Sequence, residues 1–152
     1  MAKSFSPGET SLRVFIAAAM FAIVSLAGCD DGRPQRVPVS GRVLIDGQPL
    51  THGFVQVVPA GDRAASGKIG ADGRFTLTTF EENDGCVLGT HAVAVIGLES
   101  MGAGAQKWHA PKIYASPETS GLTIDVTGPT DSIELNLTWD GGKPFIERFG
   151  EE

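Results

Sequence analysis

The chain is poor in positive charge, in aromatic residues and in cysteine. Lys and Arg number 12 against 18 Asp and Glu, a formal net charge of −6 over 152 residues. A nucleic-acid surface needs a basic patch, so this balance offers no electrostatic footprint for one. Only Cys29 and Cys86 carry thiols, so a disulfide would have to join those two. The three histidines, His52, His91 and His109, stand at none of the short H-x-x-x-H or C-x-x-C spacings of a local metal site. No metal or cofactor is expected from them, and His91 reads as a core-face histidine with a hydrogen-bond partner, His52 as a loop residue. Nucleophilic catalysis lacks its G-x-S-x-G elbow, so no catalytic residue is assigned and the chain is not read as an enzyme. After residue 28 there is no apolar run of helical length.

What is present is turn chemistry and alternation. The 20 glycines and 9 prolines point to many turns and an all-β class. Residues 37–80 carry two Asp-Gly pairs, Asp46-Gly47 and Asp72-Gly73, each flanked by alternating apolar and polar residues. That is the strongest short-range hairpin signal a sequence offers. Val37, Val39, Val43 and Ile45 share one strand face, and Phe75 and Leu77 share another. Asp72-Gly73 is expected to close a two-residue turn with positive φ at both positions. Further on, His91, Val93 and Val95 alternate with small residues, as do Leu122, Ile124 and Val126, then Ile133, Leu135, Leu137 and Trp139. Two antiparallel sheets with one apolar face each must stack to bury those faces.

Residues 1–28 stand apart from this pattern. Lys3 and Arg13 precede an apolar run at 14–26, too short for a membrane span of about 20 residues and suited to a signal-peptide core. The run ends in Leu26-Ala27-Gly28-Cys29, which resembles the bacterial lipoprotein signal at all four positions. The resemblance implies cleavage between Gly28 and Cys29 and a thioether-linked lipid on Cys29. A Cys29–Cys86 disulfide competes directly with that use of Cys29. Residues 29–36 would then be the lipidated tether. The seven residues after Cys29 reach at most about 25 Å, which holds the domain near the membrane, in the cell envelope, with the choice of membrane open.

The series S-G-R-V (40–43), D-G-Q-P-L (46–50), V-Q-V-V-P (55–59) and A-D-G-R-F-T-L (71–77) is similar to the carboxypeptidase-regulatory-like, or transthyretin-like, domain. The similarity continues at 88–95, 111–114 and 116–122. It implies a seven-stranded antiparallel β-sandwich over residues 37–139, non-catalytic in the carboxypeptidases it accompanies. The chain departs from the family pattern at His91, where an aromatic residue is usual. Some transthyretin relatives hydrolyse hydroxyisourate with a Tyr-Arg-Gly-Ser-type carboxyl end, and this chain ends otherwise.

Three segments fall outside the alternation. Residues 97–107 are rich in glycine and read as a mobile loop. Residues 108–120 read as an extended crossing segment. Residues 140–152 form an acidic tail, in which Phe145, Ile146 and Phe149 either dock or fray. Glu81, Glu82, Asn83 and Asp84 are the only local cluster that approaches a calcium loop, and turn chemistry accounts for the other Asp-Gly pairs. Cys86, with no nearby positive charge in sequence, reads as a loop or core thiol. The function expected is a membrane-anchored envelope lipoprotein, structural or protein-binding. The alternative is a carbohydrate-binding module, for which Trp108, Tyr114 and Trp139 are the available stacking residues.

Overall fold

The computed structural model describes residues 32–149. Gly28 and Cys29, and with them the signal peptide, lie outside the described residues. From Pro34 on, the chain forms one compact unit of its own, and its described residues are all β apart from a single 3₁₀ turn at Lys112–Ala115. Among the described residues no helix is long and apolar enough to cross a membrane.

The strands run in this order: β1 Arg36–Val37, β2 Val39–Ile45, β3 Gln48–Pro49, β4 Phe54–Val58, β5 Ala65–Lys68, β6 Arg74–Thr76 and β7 Cys86–Val87. Then come β8 Gly89–Ile96, β9 Leu98–Gly102, β10 Ala105–Trp108, β11 Leu122–Val126, β12 Thr130–Leu137 and β13 Phe145–Arg148. One four-stranded sheet has the order β11-β8-β4-β5, and a second has β12-β2-β3 with β6 also on β2. The alternation read in the sequence puts the apolar residues of both sheets inward. Val55, Val57, Val93, Val95, Ile124 and Val126 from the first sheet meet Val39, Val43, Phe75, Leu135 and Leu137 from the second in a single core cluster. At roughly 1.5–3 kcal/mol for each large apolar side chain removed from water, this shared face is the main favourable term holding the sheets.

Several differences from the sequence expectation have physical causes. First, β12 pairs with β2 in parallel, with Leu135 opposite Val43 and Leu137 opposite Ile45. Parallel neighbours need a long connection, and the intervening strands of the other sheet provide it. Second, Asp46-Gly47 closes a two-residue turn with φ of 48° and 78°, as its sequence demands, but Asp72-Gly73 does not. Gly73 has φ +80°, while Asp72 is not left-handed. Gly73 N donates to Gly70 O at 2.9 Å and Gly70 N to Arg74 O at 2.8 Å, so the turn is longer. The Asp72 carboxylate accepts from Arg74 N instead. Beyond this turn, Ser66 and Thr78 exchange backbone hydrogen bonds of 2.8 and 2.9 Å, which closes one flank of the core between the sheets.

Third, residues 97–107 are not a loop. β9 and β10 form a hairpin, with Ala103 and Gly104 in the turn at φ 48° and 70°. β13 from the acidic tail pairs with β10 along its length, Trp108 opposite Phe145 and Ala105 opposite Arg148. The tail therefore docks rather than frays. It adds to this third, three-stranded sheet, so the folded unit extends past residue 139. The segment expected to cross in extended form, 108–120, instead contains the 3₁₀ turn and a run of tight turns.

Candidate functional site

The structure brings together two histidines that lie 57 positions apart in sequence. His52 precedes β4, and its neighbour Gly53 (φ +114°) is pressed onto the end of β8: a Cβ there would fall 2.0 Å from Ile96 O. His109 follows β10, with its N–H donating to Gly97 O at 2.7 Å. Gly97 is also close-packed, since a Cβ would meet Ala110 Cβ at 2.7 Å. These two close approaches place both rings at the β8–β9 junction, stacked with centroids 4.5 Å apart and planes 17° from parallel.

Glu99 on β9 completes the group. His109 Nε2 lies 2.7 Å from one carboxylate oxygen and His52 Nε2 lies 3.7 Å from the other. The Glu99 carboxyl is held below its usual range by the hydrogen bond from His109, against the opposing effect of desolvation, with help from the charges of His52, His109 and Lys107. One ligand atom from each of the three residues falls within 4.8 Å of the others. On its far side the His52 ring bonds Thr51 Oγ1 through Nδ1 at 2.8 Å, which orients it with Nε2 toward Glu99. Spacing along the chain could not reveal this group, because its members reach it from three separate segments.

A second cluster occupies the three-stranded sheet. Glu147 on β13 accepts from Lys112 Nζ at 2.5 Å, Gln106 Nε2 at 2.8 Å and Trp108 Nε1 at 3.0 Å. The Lys112 bond first, then those from Trp108 and Gln106, bring its carboxyl down to about 2. Trp108 and Phe145 stack with centroids 6.3 Å apart, and Lys112 Nζ lies over both rings. Trp108 is therefore buried, and its face is not free to stack on a sugar. Tyr114 and Trp139 are half-buried, and the Tyr114 hydroxyl accepts from Thr138 N at 3.2 Å.

The remaining sequence candidates have structural uses. His91 is buried, with Nε2 at 2.9 Å from Val87 O, as its strand position suggests. Cys86 is fully buried in the core, and burial pushes its thiol up. Asp84 turns its carboxylate back onto its own loop, accepting from Thr79 N at 2.7 Å and from Phe80 N and Glu81 N at 3.1 Å each. Those oxygens are already used by the loop's amides, which argues against calcium there.

No family model matches the chain, and no curated protein or solved structure matches it.

Proposed function

We propose that this is a lipid-anchored protein of the bacterial cell envelope whose exported part is a non-catalytic, transthyretin-like β-sandwich with a structural or protein-binding role. Lipid on Cys29 would be the membrane attachment. The sandwich reading is supported by the strand order: β11-β8-β4-β5 on one side, β6-β2-β12 on the other, with the β5–β6 flank joining them. On this reading those strands form the sandwich, the short strands β1 and β7 add Val37, Cys86 and Val87 to its core, and the three-stranded sheet is an addition.

The observation that carries the binding role is where apolar side chains remain exposed. Of seven large exposed hydrophobic residues among those described, Met101, Phe145, Ile146 and Phe149 lie on the three-stranded sheet or at its end. A sheet built on the outside of a complete core, with apolar groups facing water, suits a partner surface. A stacking site for carbohydrate is less well served, because Trp108 is covered by Phe145 and Lys112.

Crosslinking in intact envelopes, followed by capture of the tagged protein, tests the role. A protein partner lost in an Ile146→Asp, Phe149→Ser double variant is the expected result. Capture of polysaccharide without protein would favour the carbohydrate-binding alternative. The anchor is tested separately: Cys29→Ser should abolish metabolic fatty-acid labelling and leave the precursor uncleaved. Labelling that persists in the variant overturns the anchor.

A further inference from the structure

We propose that His52, Glu99 and His109 together bind one divalent transition-metal ion of the zinc class. The donors are two imidazole nitrogens and one carboxylate oxygen. That set suits a borderline cation such as Zn²⁺ and is too nitrogen-rich for calcium or magnesium. It is also the three-ligand type that leaves a position open to water or to a further ligand.

The donors lie near one another and reach coordination geometry by side-chain movement. Bonds of about 2.0–2.2 Å to a tetrahedral ion place donor atoms roughly 3.3–3.5 Å apart. The Glu99 carboxylate faces both rings, with one oxygen 2.7 Å from His109 Nε2 and the other 3.7 Å from His52 Nε2, and one donor atom from each residue lies within 4.8 Å of the others, so the donors draw together when an ion enters. The two rings are nearly parallel, so one of them must tilt for both lone pairs to converge. His52 is the one able to do so, since its side chain is 43% exposed and that of His109 only 15%. Thr51 Oγ1 on His52 Nδ1 supplies the outer hydrogen bond that metal-bound histidines ordinarily make. The side chain of Glu99 is 39% exposed, so an ion reaches the site from solvent without opening the fold. Lys107, whose charge also acts on Glu99, opposes a cation and limits the affinity.

Such an ion would join three segments: the turn before β4, the first strand of the β9–β10 hairpin, and the residue just after that hairpin. Its binding would fasten the three-stranded sheet to the body of the fold. Because a ligand of the native state alone stabilises it by mass action, the ion's effect is readable as heat stability. The site lies within residues 52–109 and is independent of the lipid anchor.

The test uses the full chain in detergent, free of any histidine tag and stripped with chelator. Titration with ZnCl₂ followed by calorimetry should show one equivalent bound and a rise in melting temperature. CoCl₂ should give the visible absorption bands of a low-symmetry, four- or five-coordinate ion. His52→Gln, Glu99→Gln and His109→Gln should each weaken binding by about tenfold or more, while Glu82→Gln, on an exposed turn, should not. Circular dichroism of the stripped variants shows which remain folded. Should His109→Gln unfold, His52→Gln carries the test, since that side chain is the most exposed of the three. Absence of Zn²⁺ binding to the parent chain overturns the proposal, as does binding that is undiminished in both folded His52→Gln and Glu99→Gln.

Discussion

Arg36 Nε sits 2.8 Å from the Asp84 carboxylate. Arg36, which the sequence reading placed at the end of the tether, instead opens β1, the first strand among the described residues, and Asp84 ends the turn that leads into β7, the strand paired with β1. The same carboxylate gathers three backbone N–H groups of residues 79–81. A single side chain therefore fastens both the entry of the chain into the fold and the turn beside it. The guanidinium also lies over the Phe80 ring at 4.8 Å.

Asp84→Ala should consequently destabilise the protein by about 2 kcal/mol or more, the scale of hydrogen bonds to a charged group left unmade. The pH dependence has a definite sign. Desolvation raises the Asp84 carboxyl, but the hydrogen bonds from Thr79, Glu81 and Phe80 and the charge of Arg36 outweigh it, leaving the group below its ordinary value of 3.8. Its stabilisation is present above that value and is lost as pH falls through the lowered one. Urea denaturation at a series of pH values should show the parent and Asp84→Ala converging in acid. A constant gap down to the most acid pH would mean that the carboxylate's ionisation is not what holds the turn.

Glu147 gives a second acid transition, local rather than global. Its carboxyl is brought to about 2, so the links to Lys112, Trp108 and Gln106 should persist below the usual carboxylate range and fail only as pH approaches that value. Trp108 fluorescence in a Trp139→Phe background should shift to the red over that interval. In Glu147→Gln the shift should already be partly present at neutral pH. An unchanged spectrum in Glu147→Gln would show that the carboxylate does not hold Trp108 in place.

How legible these features were in the sequence depended on whether one face of a strand had to be buried. Val93 and Val95, Leu135 and Leu137, Phe75 and Leu77 all lie inward, because a period of two leaves them no other favourable orientation. Which strand each would pair with was not encoded in that period, so the parallel β2–β12 ladder had to come from the structure. The β9–β10 hairpin leaves no such pattern, for a related reason. Ser100, Met101, Gly102 and Ala103 have no buried face to impose alternation, and the turn is Ala-Gly rather than Asp-Gly. Its support comes from Phe145 and Glu147, about 40 residues downstream. The same distance hid the histidine pair: His52 and His109 meet only because Gly53 and Gly97 let the backbone pack closely around them.

Deletion of residues 140–152 should therefore act on the hairpin and not on the core. Without β13 the outer edge of β10 loses its backbone partners, and Trp108 loses Phe145 and Glu147. The truncated chain should keep its β circular dichroism, yet trypsin should cut after Lys107 markedly faster than in the parent. Equal rates of cleavage at Lys107 would show that β9 alone is enough to protect β10.

The sharpest comparison is between two glycines with nearly the same backbone angle. Gly73 has φ +80° and Gly102 has φ +73°, so replacing either with alanine imposes a similar left-handed strain of about 1 kcal/mol. Their surroundings differ. A Cβ on Gly102 meets nothing within 4 Å, whereas on Gly73 it would fall 2.8 Å from Val43 O and 3.0 Å from Pro49 Cβ. Gly73 O also accepts the hydrogen bond from Val43 N at 2.9 Å, so moving the backbone to relieve that contact pulls on the β2–β6 pairing. Phe75, two residues on, is 3% exposed and sits in the core. It keeps that position only if the turn holds its register. Gly73→Ala should thus cost the backbone strain plus the displacement of β6, exceeding Gly102→Ala by about 1–3 kcal/mol, the range for forcing extra volume into a packed site. Chemical denaturation of the two variants measures the difference directly. Equal midpoints would mean that the turn at Gly73 yields freely and that β6 is held in register by the core alone.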